Sequence, residues 1–257
     1  MLADDMRRTH PLDEISTSSA LCDDRTGKSL KAIGFDLGDT LIEYENLPLS
    51  WESLYPQALN ELARFLGISL VPSKLGAACS CLRFYNTRVR PRVEEVTFSE
   101  ILIDLLGCFK CSTDAPELNC AAAFFSVFRQ KLICFPDTIL VLERARSRGL
   151  KIGVFTDVPY GMPREFVAED VEAVGLTPLI DVLLTSRETG MRKPSRVALE
   201  ALSAQLKCSA EEMVYVGNER KDIEAALAFG CEAILLNRSG QRPVWGQDRT
   251  IVSLRDV

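Results

Sequence analysis

The sequence predicts an α/β fold, in which helices cover both faces of a parallel sheet and an all-helical domain is inserted after the first strand. The first observation is a regular alternation of short apolar strands and amphipathic helices from residue 136 onward. The second is the spacing of apolar residues over residues 47–135, where they recur three and four positions apart, as in helices. The third is the presence of helix start and stop signals, with proline near the starts of the predicted helices and glycine at their ends.

The first strand is KAIGF, residues 31–35, and it ends directly before Asp36. From residue 136 the predicted elements are DTILVLERARSRG (helix), LKIGVF (strand), PREFVAEDVEAVG (helix), IDVLLT (strand), PSRVALEALSAQL (helix), EMVYVG (strand), ERKDIEAALAFG (helix) and EAILL (strand). Helix starts are marked by Pro163 and Pro194, and helix ends by Gly149, Gly175 and Gly230. This alternation favours parallel strands joined by crossover helices.

The stretch 47–135 is predicted to contain four or so helices and no strands. The helical patterns are SWESLYPQALNELARFLG, PSKLGAACSCLRFYNTRV, TFSEILIDLLGCF and PELNCAAAFFSVFRQKLI. We therefore expect an α/β core formed by residues 31–46 and 136–257, a helical cap formed by residues 47–135, and a disordered leader over residues 1–29. A cap inserted after the first strand would lie over the carboxyl ends of the strands, where such sheets bind ligands.

Composition excludes several classes of protein. The 257 residues are 47% hydrophobic and 26% charged, and no apolar run approaches the roughly 20 residues of a membrane span. A formal net charge of −6 makes nucleic acid an unfavourable partner, but a small anionic ligand is still compatible with a locally positive pocket. The first residues lack the apolar region of a signal peptide, so we expect a soluble cytoplasmic protein without a membrane partner.

The cysteines and the histidine limit the chemistry further. Nine cysteines are scattered along the chain, as expected for reduced thiols in a cytoplasmic protein. Cys79, Cys81, Cys108 and Cys111 are the closest groupings. They are either zinc ligands or buried small apolar residues, and the spacing favours the second interpretation. His10 is the only histidine and lies in the leader, which excludes hydrolases built on a Ser-His or Cys-His pair.

Polar residues follow four predicted strands. Asp36 follows KAIGF, Thr156 follows IGVF, Lys193 lies in TGMRKP at the entrance to a helix, and GNERKD follows MVYV. Because the carboxyl ends of parallel strands meet at one edge of the sheet, we expect these side chains to share one crevice. Carboxylates, a hydroxyl and a cation together suit the transfer of a dianionic phosphoryl group.

These four segments resemble the motifs of the haloacid dehalogenase superfamily. FDLGDTL matches its first motif, VFTD the second, GMRKP the third and VGNERKD the fourth, and the resemblance extends over about residues 31–257. The resemblance implies a Rossmann-like core with a helical cap between the first and second motifs. It also implies a hydrolase that uses its first aspartate as a covalent nucleophile together with Mg²⁺.

The resemblance assigns roles by position. The implied catalytic residues are Asp36, Thr156 and Lys193. The implied phosphoryl-binding groups are Thr156, the amide of Asp157 and Lys193. The implied Mg²⁺ ligands are Asp36, the carbonyl of Gly38, Asn218 and Asp222.

The sequence departs from the family pattern in two motifs. Phosphatases of the family have a second aspartate two residues after the nucleophile, which protonates the leaving oxygen, but here Gly38 occupies that place. Asp39 is shifted by one residue, and we interpret it as a turn residue in left-handed conformation rather than as the acid. Asn218 replaces an aspartate in the fourth motif and removes one negative charge, which Glu219 alongside could restore.

Three functions remain open. The first is a Mg²⁺-dependent phosphatase that acts on a small phosphate monoester, slowed or made selective by the loss of the acid. The second is a metal-independent 2-haloacid dehalogenase, and the third is a catalytically weakened binding or regulatory protein. A phosphonatase would need a cap lysine, for which Lys74 and Lys110 are the candidates.

The cap supplies aromatic and basic residues whose roles the sequence leaves open. Trp51, Tyr55, Phe84 and Tyr85 are predicted to be core residues rather than a substrate platform. The basic run Arg88, Arg90 and Arg92 could reach an anionic substrate, but a solvated loop is the preferred interpretation.

Overall fold

The computed structural model describes residues 29–129, 131–240 and 243–257. The predicted leader, with His10, therefore lies outside the described residues except at residue 29. Among the helices of the described residues, none is both long and apolar enough to cross a bilayer.

A six-stranded sheet forms the centre of the molecule, with strand order β5-β4-β1-β6-β7-β8 and every neighbouring pair parallel. Its strands are β1 (Ala32–Phe35), β4 (Lys151–Thr156), β5 (Val182–Thr185), β6 (Met213–Gly217), β7 (Glu232–Leu236) and β8 (Arg249–Ile251). The α/β prediction is confirmed, and β8 is an edge strand that the sequence analysis did not identify. Because β1 lies between β4 and β6, the residues that follow these three strands are neighbours.

Nine α-helices occur in the described residues. They are α1 (Tyr55–Phe65), α2 (Pro72–Tyr85), α3 (Phe98–Phe109), α4 (Glu117–Phe125), α5 (Thr138–Ser147), α6 (Arg164–Ala173), α7 (Ser186–Thr189), α8 (Val197–Leu206) and α9 (Arg220–Phe229). Helix α3 begins at a capping box in which Thr97 and Glu100 satisfy each other's backbone amides. Helix α9 ends at Gly230, whose φ of 93° is readily adopted by glycine.

Residues 47–135, called here the helical insert, contain α1 to α4 as expected from the sequence. The expectation that this stretch lacks strands is wrong for β3 (Leu132–Cys134), which pairs antiparallel with β2 (Ile42–Tyr44). The two strands have only three residues each, which is too short for an alternating pattern to be recognised. They form a ribbon where the chain leaves the sheet and returns to it.

Two apolar clusters lie on opposite faces of the sheet. One cluster contains Ile33 and Phe35 of β1 and continues into the helical insert, and the other contains Tyr215 of β6 and the buried faces of α8 and α9. Gly34 lies opposite Tyr215, and a Cβ atom on it would come 2.7 Å from the Tyr215 ring. The glycine in β1 therefore provides the space that lets a large aromatic ring lie across the sheet.

Candidate active site

The predicted site residues lie at the carboxyl ends of adjacent strands. Asp36 directly follows β1, Thr156 ends β4, and Asn218 follows β6. The register places Phe35 beside both Val154 of β4 and Val216 of β6, so these three chain ends reach the same edge of the sheet. The topology thus brings together the first, second and fourth polar segments of the sequence.

Lys193 joins the two acidic residues of this edge. Its Nζ atom lies 2.5 Å from Asp36 Oδ1 and 2.6 Å from Asp222 Oδ1. The side chains of Lys193 and Asp222 have no exposed surface, and Asp36 is 7% exposed. Buried charges are stable only when they are paired, so the three groups form one electrostatic unit.

Burial changes the ionisation of this unit. It raises the pKa of Asp36 to about 7; the charge of Lys193 opposes this rise and that of Asp222 adds to it. For Lys193 burial acts in the opposite direction, but Asp222 and Asp36 outweigh it and hold the pKa of the ammonium well above its ordinary value. Lys193 is therefore held in its cationic form, whereas burial makes the carboxylate of Asp36 easier to protonate than an exposed one.

Tyr215 and Gly217, which the sequence analysis did not select, shape this unit. Lys193 Nζ lies 3.3 Å from the hydroxyl of Tyr215, which donates to the carbonyl of Phe155 at 3.1 Å. A Cβ atom on Gly217 would lie 2.3 Å from the Cβ of Asp222, so only glycine leaves room for that carboxylate. An aromatic residue and a glycine in a β-strand are signals of packing, and nothing in their spacing marks them as site residues.

Thr40 and Asn218 also contact the unit formed by Asp36, Lys193 and Asp222. The hydroxyl of Thr40 lies 3.4 Å from Asp36 Oδ2 and 3.3 Å from Asn218 Oδ1, and it donates its single hydrogen to one of them. The backbone amides of Asn218 and Glu219 both donate to Asp222 Oδ2, at 3.1 Å and 2.8 Å. Asp222, in the first turn of α9, is thus held by the two amides that precede this helix, and its other oxygen contacts Lys193.

The carboxylate of Asp157 contacts a backbone amide with one oxygen and a lysine ammonium with the other. Oδ1 accepts a hydrogen bond from the amide of Lys193 at 3.0 Å, and Oδ2 lies 3.0 Å from Nζ of Lys221. Burial alone would raise the pKa of Asp157, but Lys221, Lys193 and Arg192 together lower it. Only the amide of Asp157 was predicted to take part in the site, and the structure adds a carboxylate that positions the segment carrying Lys193.

The acidic residues beside the unit have different partners. The carboxylate of Glu219 contacts Arg88 and lies 3.1 Å from Lys221. The negative charge that could compensate for Asn218 is therefore already paired with two cations. Asp39 adopts φ of 57°, which confirms its interpretation as a left-handed turn residue. Its backbone amide donates to the carbonyl of Ile42 at 2.8 Å, which closes this turn.

A pocket of about 250 Å³ opens above this edge, between the sheet and the helical insert. Gly38, Thr156 and Asp157 line it, whereas Asp36, Lys193, Asn218 and Asp222 are not lining residues, although Leu37, which follows Asp36, is. From the insert it is lined by Leu47, Pro48, Leu49, Trp51, Tyr85, Asn86, Thr87 and Arg88. Lys74 and Lys110 are not lining residues, which leaves a lysine-based phosphonatase without support.

The expectations for the aromatic and basic residues of the insert are met unevenly. Tyr55 is a core residue at 1% exposure, but Phe84 is 56% exposed and Trp51 and Tyr85 line the pocket. Arg88 lines the pocket too and is paired with Glu219, so it is not a freely solvated residue.

An acidic residue of the insert reaches the segment that carries Lys193. Glu95 pairs with Arg192, and its side chain is only 2% exposed. Arg192 also donates to the carbonyl of Val158 at 2.6 Å, and the amide of Arg192 donates to the carbonyl of Val93 at 2.7 Å. The insert is therefore joined by buried polar contacts to Arg192, the residue next to Lys193, and Arg192 in turn contacts Val158, the residue next to Asp157.

The oxygen atoms of Asp36, Gly38, Asn218 and Asp222 are compatible with a magnesium ion. The candidate donors are two carboxylates, an amide and a main-chain carbonyl, the oxygen ligands that Mg²⁺ prefers. Asp222 Oδ1 is buried and has no hydrogen-bond partner although it is paired with Lys193. In the described part of the chain no three His, Cys, Asp or Glu side chains cluster as metal ligands, so an ion here would retain several waters.

The zinc interpretation of the cysteines receives no support either. Every cysteine of the described residues is free, including Cys79, Cys81, Cys108 and Cys111. Burial raises the pKa of Cys81 to about 12, with further contributions from Cys108 and Asp104. Among the described residues, these cysteines form no group of three or more side chains that could hold a metal ion.

Comparison with known proteins agrees with the geometry. The sequence profile of the haloacid dehalogenase-like hydrolase family matches residues 30–230. A ribulose-1,5-bisphosphate 5-phosphatase of Halopiger xanaduensis is 32% identical over 118 residues, which are 46% of this chain and 48% of that protein. A phosphoglycolate phosphatase of Yersinia pestis is 33% identical over 100 residues, 39% of this chain and 41% of that protein. In each case the match spans less than half of the relative.

Solved structures of both phosphatases and dehalogenases resemble this fold. A HAD phosphatase from Thermococcus onnurineus superimposes with a TM-score of 0.61 and 24% identity, over 88% of this chain and 95% of that chain. A 2-haloacid dehalogenase from Pseudomonas syringae gives a TM-score of 0.59 and 23% identity over the same shares. Likeness at this level establishes the fold and does not distinguish the two activities.

Proposed function

Because this chain belongs to the haloacid dehalogenase-like hydrolase family, we propose that it is a Mg²⁺-dependent phosphatase that hydrolyses a small phosphate monoester through Asp36. The observation that carries the proposal is the contact of one buried ammonium, on Lys193, with the carboxylates of both Asp36 and Asp222. A carboxylate can approach a phosphate dianion only where positive charge compensates the repulsion. The relatives named as phosphatases support the same activity.

In the proposed reaction an Asp36 oxygen attacks phosphorus and the ester oxygen leaves with its bonding electrons. Water then attacks the phosphorus of the aspartyl phosphate, which releases inorganic phosphate and restores the Asp36 carboxylate. Thr156 and the amide of Asp157 would donate to the phosphoryl oxygens at the pocket floor. Lys193 would hold Asp36 in its ionised form and neutralise part of the charge that gathers on the phosphoryl group.

A magnesium ion would be held by Asp36, the carbonyl of Gly38, Asn218 and Asp222. When bound, it would supply further positive charge to the phosphoryl oxygens and favour the ionised form of Asp36. The buried Asp222 Oδ1 is paired with Lys193 and has no other hydrogen-bond partner, so it retains a lone pair for a second cation, which supports this assignment. Asn218 contributes no charge, so this donor set should bind the ion less tightly than one with a third carboxylate.

The helical insert, residues 47–135, is proposed to act as a cap over the core formed by residues 31–46 and 136–257. Its residues line one side of the pocket, and its Glu95 and Arg88 pair with Arg192 and Glu219 of the core. A cap in this place would exclude water from the phosphoryl group and contact the leaving group. The free cysteines support the inference of a reducing, cytoplasmic location.

The test is an assay of the purified protein with acetyl phosphate and p-nitrophenyl phosphate, with and without Mg²⁺. Turnover that needs Mg²⁺ and disappears in Asp36→Asn supports the proposal. Chloride release from a 2-chloroacid without metal would assign the dehalogenase reaction instead. Absence of turnover with every substrate would leave the third possibility, a binding or regulatory protein.

A further inference from the structure

The helical insert contributes an apolar wall to the pocket, formed by Leu47, Pro48, Leu49 and Trp51. Beside this wall the insert also contributes a more polar segment, formed by Tyr85, Asn86, Thr87 and Arg88. The Trp51 ring stacks on Phe128, with centroids 4.2 Å apart and an angle of 14° between planes, and lies 5.8 Å from Tyr160. Contacts with two aromatic neighbours fix the position of the Trp51 ring, and its uncovered surface faces whatever enters the pocket.

The tyrosine hydroxyl groups around the pocket have partners in the protein. Tyr44 donates to Asp170, and the Tyr85 hydroxyl lies 2.5 Å from Asp104. Tyr160 shares a hydrogen bond of 2.5 Å with another tyrosine, Tyr55. The three lining tyrosines therefore contribute ring carbon to the pocket rather than free hydrogen-bond donors.

The cations that line the pocket are paired as well. Arg88 contacts Glu219, Lys221 lies 3.0 Å from Asp157, and Arg192 contacts the buried Glu95. The lining also contains the carboxylates of Asp39 and Glu43. A second anionic group on the substrate would meet these carboxylates, and each cation that it recruited would first have to leave its own partner.

Gly38 restricts the leaving group. At the position two residues after the nucleophile it has no side chain that could protonate the departing oxygen. An oxygen that is not protonated must leave as an anion, which is easy for a phenol, with a pKa of about 10, and hard for an alkyl alcohol. The missing acid favours an acidic hydroxyl as the leaving group, and the apolar wall independently favours an aromatic ring beside the phosphoryl group.

We infer that the substrate is an aryl phosphate, the phosphate ester of an uncharged phenol, with its ring against the apolar wall and its phosphoryl group at Thr156 and Asp157. The inference rests on the proposed phosphatase function and differs from the anionic and bisphosphorylated substrates after which the relatives are named. The size fits, because the pocket of about 250 Å³ exceeds the roughly 150 Å³ cavity that takes up one benzene ring.

The experiment compares kcat/KM for phenyl phosphate, cyclohexyl phosphate and 2-phosphoglycolate in the presence of Mg²⁺, with acetyl phosphate as a test of turnover itself. Phenyl and cyclohexyl phosphate have similar apolar groups but differ in leaving-group acidity. We expect phenyl phosphate to exceed both other esters by at least about 10²-fold, the range that general acid catalysis otherwise supplies. Cyclohexyl phosphate or 2-phosphoglycolate within about tenfold of phenyl phosphate would overturn the inference.

The two proposals fail in different ways. Turnover that favours an alkyl or anionic ester overturns only the substrate class. Absence of hydrolysis with all four compounds, acetyl phosphate included, overturns the phosphatase proposal and this inference with it.

Two variants test the apolar wall. Leu49 lines the pocket and is 66% exposed, so Leu49→Arg changes the wall without disturbing the core. We expect it to raise kcat/KM for 2-phosphoglycolate at least about fivefold and to lower that for phenyl phosphate. Leu140→Arg, 51% exposed in α5 and outside the pocket, is the matched control. Equal effects of the two substitutions on both substrates would contradict the inference.

Trp51→Leu removes the ring but keeps an apolar side chain beside Phe128. It is expected to raise KM for phenyl phosphate about tenfold and to leave KM for acetyl phosphate unchanged. Trp245→Leu, in the other apolar cluster, is the control. A parallel loss with both substrates in Trp51→Leu would mean that Trp51 serves only to pack the insert.

Discussion

The carboxylate of Glu95, between α2 and α3, pairs with the guanidinium of Arg192, which directly precedes Lys193. The pair is buried, with side-chain exposures of 2% and 5%, and Glu95 also accepts from the hydroxyl of Ser186 at 2.5 Å. An acidic residue of the helical insert thereby positions the segment that carries the candidate catalytic lysine.

Glu95→Gln is the first prediction. The substitution leaves the buried Arg192 without its counter-charge, so we expect the free energy of unfolding in urea to fall by about 3 kcal/mol. Because Lys193 is displaced, kcat should fall while KM changes little. Glu94→Gln, at the exposed neighbouring position, is the control for both measurements. A Glu95→Gln protein as stable and active as this control would show that the pair positions nothing.

Lys193→Met is expected to abolish activity and to destabilise the fold. It leaves the carboxylates of Asp36 and Asp222 buried together without a cation, which should cost about 3–5 kcal/mol in the free energy of unfolding. The double variant Lys193→Met/Asp222→Asn removes one of these charges and should recover part of the stability, but no activity. Urea unfolding of Lys193→Met, Asp222→Asn and the double variant measures the coupling between the two side chains, and additive changes in the free energy of unfolding would contradict that coupling.

How far could the sequence predict this arrangement? The strand ends, the alternation and the helical insert were predictable, because each depends on local periodicity and on the edge at which parallel strands meet. The left-handed turn at Asp39 was predictable for the same local reason. The topology of a parallel sheet predicted that Asp36 and the segments carrying Lys193 and Asp222 would meet, and the family resemblance was needed to select Asp222 within its segment.

The contacts that tune the site could not be predicted. Glu95 and Arg192 are separated by 97 residues, and the sequence offers several arginines that could equally pair with an acidic residue. Tyr215 appears in the sequence as an ordinary strand-forming residue, and its role depends on the space that Gly34 leaves on the neighbouring strand. The ribbon of β2 and β3 joins segments about ninety residues apart and has too few residues for a local pattern.

Magnesium should stabilise the protein more at alkaline than at acidic pH. Burial raises the pKa of Asp36 to about 7, so its carboxylate is mostly protonated below that pH and available as a ligand above it. We therefore expect Mg²⁺ to raise Tm more at about pH 8 than at about pH 6, since metal binding must displace the proton. In Asp36→Asn the effect of Mg²⁺ should be small and independent of pH. Equal Tm shifts at both pH values in the unsubstituted protein would oppose the assignment of Asp36 as a ligand.

Asp137 gives a prediction about acid stability. Burial would raise its pKa, but hydrogen bonds from Arg238, Ser253 and the amide of Leu254 hold it at about 2. The folded value lies below the unfolded value of about 3.9, so the contribution is fully present above about pH 4 and is lost as the pH falls towards 2.

Asp137→Asn should therefore lower the free energy of unfolding by about 2 kcal/mol at neutral pH and by much less near pH 2. Urea unfolding at the two pH values measures the difference. Asp256→Asn, in the exposed final turn of the chain, is the control. A constant deficit at both pH values would indicate lost packing rather than a lost charge.

The most direct measurement is a single turnover of an aryl phosphate with Mg²⁺, stopped in acid and followed by mass spectrometry of the peptide that contains Asp36. If Asp36 is the nucleophile, this peptide carries one phosphoryl group on Asp36 during turnover and none after the substrate is consumed. In Asp36→Asn the label and the turnover should both be absent. Full turnover with an unmodified Asp36 at every time point, or turnover that persists in Asp36→Asn, would contradict the proposed mechanism.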